Sequence, residues 1–132
     1  MQLARACPEE NGLVFVNMPP PIRVDLVGHL TRHSLAVALD RATSSIAGES
    51  QPVALLVDCR QMSGYDADAR ALFVSWNSSH RSRVRRVAIL TSNPVWHMVI
   101  AAMAVASGQK MKAFTHPDAA GAWLQADGRR PA

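Results

Sequence analysis

VALLVDCRQMSGYDADAR, residues 53–70, opens on an unbroken apolar run and closes on a helix signal. With no polar residue from Val53 to Val57, the run has the composition of a central strand covered on both faces, and it stops at Asp58. Further on, Asp66 stands where an N-cap belongs, because Ala69, Leu72, Phe73 and Trp76 follow at i, i+3, i+4 and i+7, one apolar helical stripe. The stretch therefore predicts a strand, a loop from Asp58 to Asp66 with a turn at Ser63-Gly64, and a helix amino end. In open α/β sheets, ligands and partners meet the chain at junctions of this kind.

Working outward toward the amino end, Ile22 to Gly28 alternates Ile22, Val24 and Leu26 against Arg23, Asp25 and Val27, the period of a half-buried strand. Before it, Met18-Pro19-Pro20-Pro21 reads as a connector from a first strand at Leu13 to Asn17, since three prolines cannot join a ladder. Thr31 is placed to cap a helix running to about Ile46, with Leu35, Leu39, Ala42 and Ile46 on one stripe, Leu30 as a staple and Gly48 as the stop.

Toward the carboxyl end, Arg85 to Thr91 predicts another apolar strand, and Asn93-Pro94 starts a helix that closes at Gly108. Lys110 to Thr115 is a short last strand. His116-Pro117-Asp118 then opens a helix carrying Ala120, Trp123 and Leu124, with Gln125 to Ala132 expected to fray. The order β-β-α-β-α-β-α-β-α defines an α/β fold, a five-stranded mixed, mainly parallel sheet with four helices and right-handed crossovers. The expected organisation is a flexible segment over residues 1–12, one domain over 13–125 and a tail over 126–132.

At 132 residues the chain has the length of one domain with a real core, and 48% hydrophobic against 18% charged residues excludes a disordered chain. The net charge of +4 gathers only at His80-Arg81-Ser82-Arg83-Val84-Arg85-Arg86, which reads as a solvated helix-to-strand loop. No aromatics interleave with it, so nucleic acid is not an expected partner, and anionic lipid headgroups or an acidic protein fit it better. Two cysteines, Cys7 and Cys59, make no disulfide framework, and a reducing, cytoplasmic compartment is expected. Residues 1–12 carry no apolar signal core, and the longest apolar segment, Val95 to Ala106, is interrupted by His97 and shorter than the ~20 residues of a membrane span.

The strand ending in Gly28, the helix after it, Leu55-Leu56-Val57-Asp58, and Asp66 opening a helix together resemble the STAS domain of bacterial anti-sigma factor antagonists. Arg86-Val87-Ala88-Ile89-Leu90-Thr91, the Trp96 helix, Lys112-Ala113-Phe114 and Ala122-Trp123-Leu124 are similar to the SpoIIAA-like branch, often described together with CRAL-TRIO lipid-binding domains. That resemblance covers Leu13 to Leu124 and implies a non-enzymatic regulatory or protein-interaction module. In the antagonist branch a serine directly after the capping aspartate accepts phosphate, as suits a helix amino end. Here Asp66 is followed by Ala67 and Asp68, so the acceptor is missing, and Ser63, before Asp66, is out of position to replace it.

The expected partner-binding surface is Arg60, Ser63, Tyr65, Asp66, Ala67, Asp68 and Arg70, with self-association as a homodimer as one form of contact. A second locus is the helix from Pro94. Its apolar residues, among them Val95, Trp96, Met98, Val99, Ile100, Met103 and Val105, spread over roughly 220° at 100° per residue, about twice the stripe that docking on a sheet requires. Trp96, Met98, Val99, Ile100 and Met103 would then meet a neighbouring helix, a second subunit, a nonpolar ligand or a lipid surface. The SpoIIAA-like branch is associated with nonpolar ligands and membranes, so a carrier or sensor of a lipid-like molecule, peripheral at the membrane, is the alternative function. Cys59 reads as a buried, inert thiol. His29 and His33 lack a third ligand with metal spacing, and neither a metal, a cofactor nor a catalytic set is expected.

Overall fold

The computed structural model describes residues 19–126. Its elements are β1 (Ile22–Leu30), α1 (Arg32–Ala47), β2 (Val53–Tyr65), α2 (Ala67–Ser79), β3 (Val84–Leu90), α3 (Pro94–Ser107), β4 (Met111–Phe114) and α4 (Pro117–Ala126). The sheet runs β1-β2-β3-β4 with every pair parallel. Because each strand lies beside its successor, crossovers of one hand stack α1, α2 and α3 on the same face. There Val24, Leu55, Val57 and Val87 pack with Leu35 and Leu39 of α1 and Phe73 and Trp76 of α2. Among the described residues only α4 covers the other face, through Ala120 and Leu124 against Ala54, Ala88 and Leu90. Burial from both sides is why residues 53–57 tolerate no polar side chain.

The described residues form four strands, all parallel, where the sequence predicts five in a mixed sheet. The expected first strand, Leu13 to Asn17, lies outside the described residues. Gln125 and Ala126, expected in the tail, close α4 instead.

A larger correction concerns β2, which continues past Asp58 to Tyr65, so the loop and the Ser63-Gly64 turn do not form. It continues because β1 stays beside it from Ile22↔Leu55 to Leu30↔Tyr65. The register shifts twice: Asp25 to Val27 on β1 spans Asp58 to Gln61 on β2, and Gly28 to His29 spans Met62 to Gly64. β2 thus carries an extra residue at each of two bulges. At the second, Gly28 takes φ +74°, which a side chain would disfavour.

Helix ends follow the sequence closely. Thr31 and Ser34 form a capping box on α1: Thr31 Oγ1 accepts from Ser34 N–H at 3.0 Å and Ser34 Oγ accepts from Thr31 N–H at 3.0 Å. Asn93 Oδ1 accepts from Val95 N–H at 2.9 Å, Pro94 opens α3, and Gly108 closes it at φ +73°.

The arginine cluster is a solvated helix-to-strand loop only in part: residues 80–83 form the turn, with Arg81 and Ser82 exposed, but the other arginines are engaged. Arg83 donates to the carbonyls of Ile46 (3.3 Å) and Glu49 (2.6 Å) at the end of α1, and Arg81 donates to Ser78 O at 3.3 Å at the end of α2. Arg85 and Arg86 lie in β3 and donate to Leu124 O (2.8 Å) and Trp123 O (2.9 Å) at the end of α4, with Arg86 also stacked 4.7 Å over the Trp123 ring. Carbonyls at helix carboxyl ends attract cations, so Arg83, Arg85 and Arg86 are spent on helix termini, while Arg81 stays exposed.

Candidate functional site

The junction between β2 and α2 is built from backbone hydrogen bonds. Asp66 N–H donates to Leu30 O at 2.9 Å, and Asp66 O accepts from Ala69 N–H (3.1 Å) and Arg70 N–H (3.2 Å), which makes Asp66 the N-cap by position. Contrary to the sequence reading, its carboxylate makes no capping hydrogen bond and instead meets His29 Nε2 at 2.7 Å. His29 reaches it across Gly64, where an added Cβ would sit 3.2 Å from His29 Nδ1. Ala67 and Asp68 are exposed in the first turn, where the Asp68 charge suits the helix dipole.

Below this junction, α2 and α3 diverge over the sheet and leave an apolar cleft of about 60 Å³. Leu26, Val57 and Ile89 form its floor, and Phe73 with Ala69 forms the α2 wall. Trp96, Val99, Ile100 and Met103 form the α3 wall. Tyr65 and Trp96 meet edge to face at 5.8 Å between ring centres, and the exposed Arg70 also borders the cleft. Cys59 lines it as well. Burial, then the negative charge of Asp58, pushes that thiol up to about 12, so it stays protonated and unreactive at neutral pH.

The seven residues expected to share one contact surface separate into distinct places. Asp66, Ala67 and Asp68 hold the α2 amino end, while Tyr65 and Arg70 border the cleft. Ser63 is an exposed strand residue. Arg60 lies on the opposite face of β2, where it and Arg23 donate to Asp58 at 2.8 and 2.6 Å. Donation from Arg60, reinforced by the charge of Arg23, holds the Asp58 carboxyl below its ordinary 3.8 against the opposing effect of burial.

Of the five α3 residues singled out from sequence, Trp96, Val99, Ile100 and Met103 reach the cleft and Met98 does not: it is 74% exposed. The floor residues were not singled out. Their signal was the strand period, which sets Leu26, Val57 and Ile89 on one sheet face, but only the tertiary packing shows that α2 and α3 leave a small void above these buried side chains. His29 as partner of Asp66 had no sequence signal.

A parallel α/β sheet with this strand-to-helix junction is the architecture of a STAS-type module. The chain belongs to the SpoIIAA-like family, which matches residues 22–125. Its fold is similar to the crystal structure of an uncharacterized protein of the DUF3478 family from Shewanella loihica PV-4, described as having a SpoIIAA-like fold. The two share 21% identity and a TM-score of 0.64, over 77% of this chain and 82% of that one. No curated protein matches the chain. Among the described residues no helix is long and apolar enough to cross a membrane.

Proposed function

We propose that this chain is a non-enzymatic binding module that takes a nonpolar ligand into the cleft between α2, α3 and the sheet. The observation that carries this reading is an apolar cleft walled by Phe73, Val99, Ile100 and Met103 and bordered by the Tyr65–Trp96 pair. A cavity of roughly 150 Å³ is needed to admit a benzene-sized molecule. At about 60 Å³ the cleft takes only a short alkyl group as it stands, and a longer chain requires α3 to move away from α2. Met103 suits such adjustment, being unbranched and adaptable.

Titration with a fluorescent fatty acid, read through energy transfer to the probe from tryptophan, with Trp96 at the cleft wall, tests this. Binding is expected to be lost in Val99→Phe, which fills the cleft, and kept in Met98→Ala, which lies off it. Absence of binding, or binding indifferent to Val99→Phe in a folded protein, overturns the proposal.

A second reading, a regulatory protein-contact module without the phosphoacceptor, is favoured by the exposed Asp66-Ala67-Asp68 start of α2. With alanine at the position after the N-cap there is no hydroxyl to modify. Serine kinases of the antagonist type are expected to leave residues 63–79 unmodified, and phosphate found there by mass spectrometry refutes it.

A further inference from the structure

The outward face of α3 is separate from the cleft. At 100° per residue, Val95, Met98, Ala101, Ala102, Val105 and Ala106 fall within an arc of roughly 140°, and all six are exposed. Val95 is 63%, Met98 74% and Val105 84% exposed, on the side of a helix where polar residues normally sit. α3 carries no charged residue, and His97 is turned to Thr91 O at 3.1 Å. Within the arc, Val95, Met98, Ala102 and Val105 are spaced three, four and three apart, the a/d spacing of a helix–helix seam. Beside it, Ala71, Ser75 and Ser78 of α2 join Ala102 and Ala106 in lining a groove of about 560 Å³.

We infer that a second copy of the chain docks on this face, α3 against α3 about a two-fold axis that crosses the exposed arc midway between Met98 and Ala102. The stripe is self-complementary in size: an axis there sets Val95 opposite Val105 of the second copy, and Met98 opposite the small Ala102. It is complementary in charge as well. α2 and α3 both start from the end of the sheet where the strands terminate, so a two-fold axis perpendicular to them, as the Val95–Val105 pairing requires, sets both antiparallel to their counterparts. That brings the first turn of α2, with Asp68, toward the far end of the other copy, where Arg81 lies against Gly108. Asp68 and Arg81 are exposed, and among the described residues neither has an ion-pair partner. The α3 stripe itself carries no charge, although Arg70 of α2 also lines the groove, so the stripe adds no direct repulsion between two chains of net charge +4.

A lipid surface fits less well. Helices that lie on membranes flank their apolar face with lysine or arginine and anchor with aromatics, whereas α3 has no basic residue but His97, and Trp96 points inward at Tyr65. Side by side, α2 and α3 present a face roughly 20 Å square, below the about 800 Å² per partner of a standard interface, so the dimer is expected to be micromolar.

Sedimentation equilibrium of the full chain from about 1 to 200 µM tests the inference. A concentration-dependent dimer is expected, weakened at least about tenfold by Val105→Glu and unchanged by Val37→Glu, an exposed residue on α1. Asp68→Arg and Arg81→Asp should each weaken it and together restore it. The cleft-filling Val99→Phe should leave the dimer intact, which keeps this result distinct from the ligand proposal. A monomer throughout the range, or a dimer indifferent to Val105→Glu, overturns the inference, and failure of the double charge swap overturns the antiparallel arrangement. A monomer whose binding to phosphatidylcholine–phosphatidylglycerol vesicles is lost in Val105→Glu gives the face to the membrane and equally overturns it.

Discussion

Helices α1 and α3 are alike in length and in their side-chain caps, yet they use their surfaces differently. α1 buries Leu35, Leu39, Ala42 and Ile46 in one stripe and turns Arg32, Asp40 and Arg41 to solvent. α3 buries only Ile100 and Ser107, lines a cleft with Ile100 and three more residues, and exposes an apolar arc. α1 has the surface of a helix whose work is finished when the domain folds. α3 has more apolar surface than folding consumes, on both sides, and that surplus is the ground of both the ligand and the dimer proposals.

The comparison can be broken most directly through the core. Leu39→Ala, at 3% exposure, should cost about 2–5 kcal/mol in denaturant unfolding, whereas Val105→Ala on α3 should change stability by less than about 0.5 kcal/mol. If the two were equal, the exposed arc of α3 would have to be covered within the chain. The caps come next. Thr31→Ala and Asn93→Ala should each cost about 1 kcal/mol, because both helices lose one amino-end acceptor, and a much larger loss at Asn93 would mean that α3 lacks independent support.

The smaller effect lies on the sheet face opposite α1, where Asp58→Asn should cost on the order of 1 kcal/mol near neutral pH, limited by the half-exposure of Arg23 (48%) and Arg60 (41%). The sign follows from the lowered carboxyl. Its stabilisation is fully present above the ordinary value of 3.8 and is lost as pH falls through the still lower folded value. Wild type and Asp58→Asn should therefore converge in thermal melts at acid pH. Smallest of all, Met98→Ala should leave the melting temperature nearly unchanged.

What the sequence made legible was local. Period-2 alternation in β1, the Thr31 and Asn93-Pro94 starts and the Gly108 stop all depend on residues close in the chain, and each appears where it was read. The continuation of β2 was hidden because Asp58, Arg60, Gln61 and Ser63 look like loop residues. Only the adjacent β1 and the two bulges show them to be the outward side of a strand. The cleft was half legible: the excess of apolar residues on α3 was plain, but dividing it into an inner wall and an outer arc needed the position of α2. The arginines were misread because their acceptors lie 37 and 39 residues away for Arg86 and Arg85, at the end of α4.

Those arginines also bear on how the domain assembles. The carboxyl ends of α1, α2 and α4 are all held by side chains from one short segment around the start of β3, so none of these helices is complete until that segment is in place. A fragment ending at Ser79 would contain β1, α1, β2 and α2 yet leave the carbonyls of Ile46 and Glu49 without Arg83. Such a clasp couples the two halves of the chain into a single cooperative unit, and it predicts hydrogen exchange in which the ends of α1 and α4 open together with the core rather than by independent fraying.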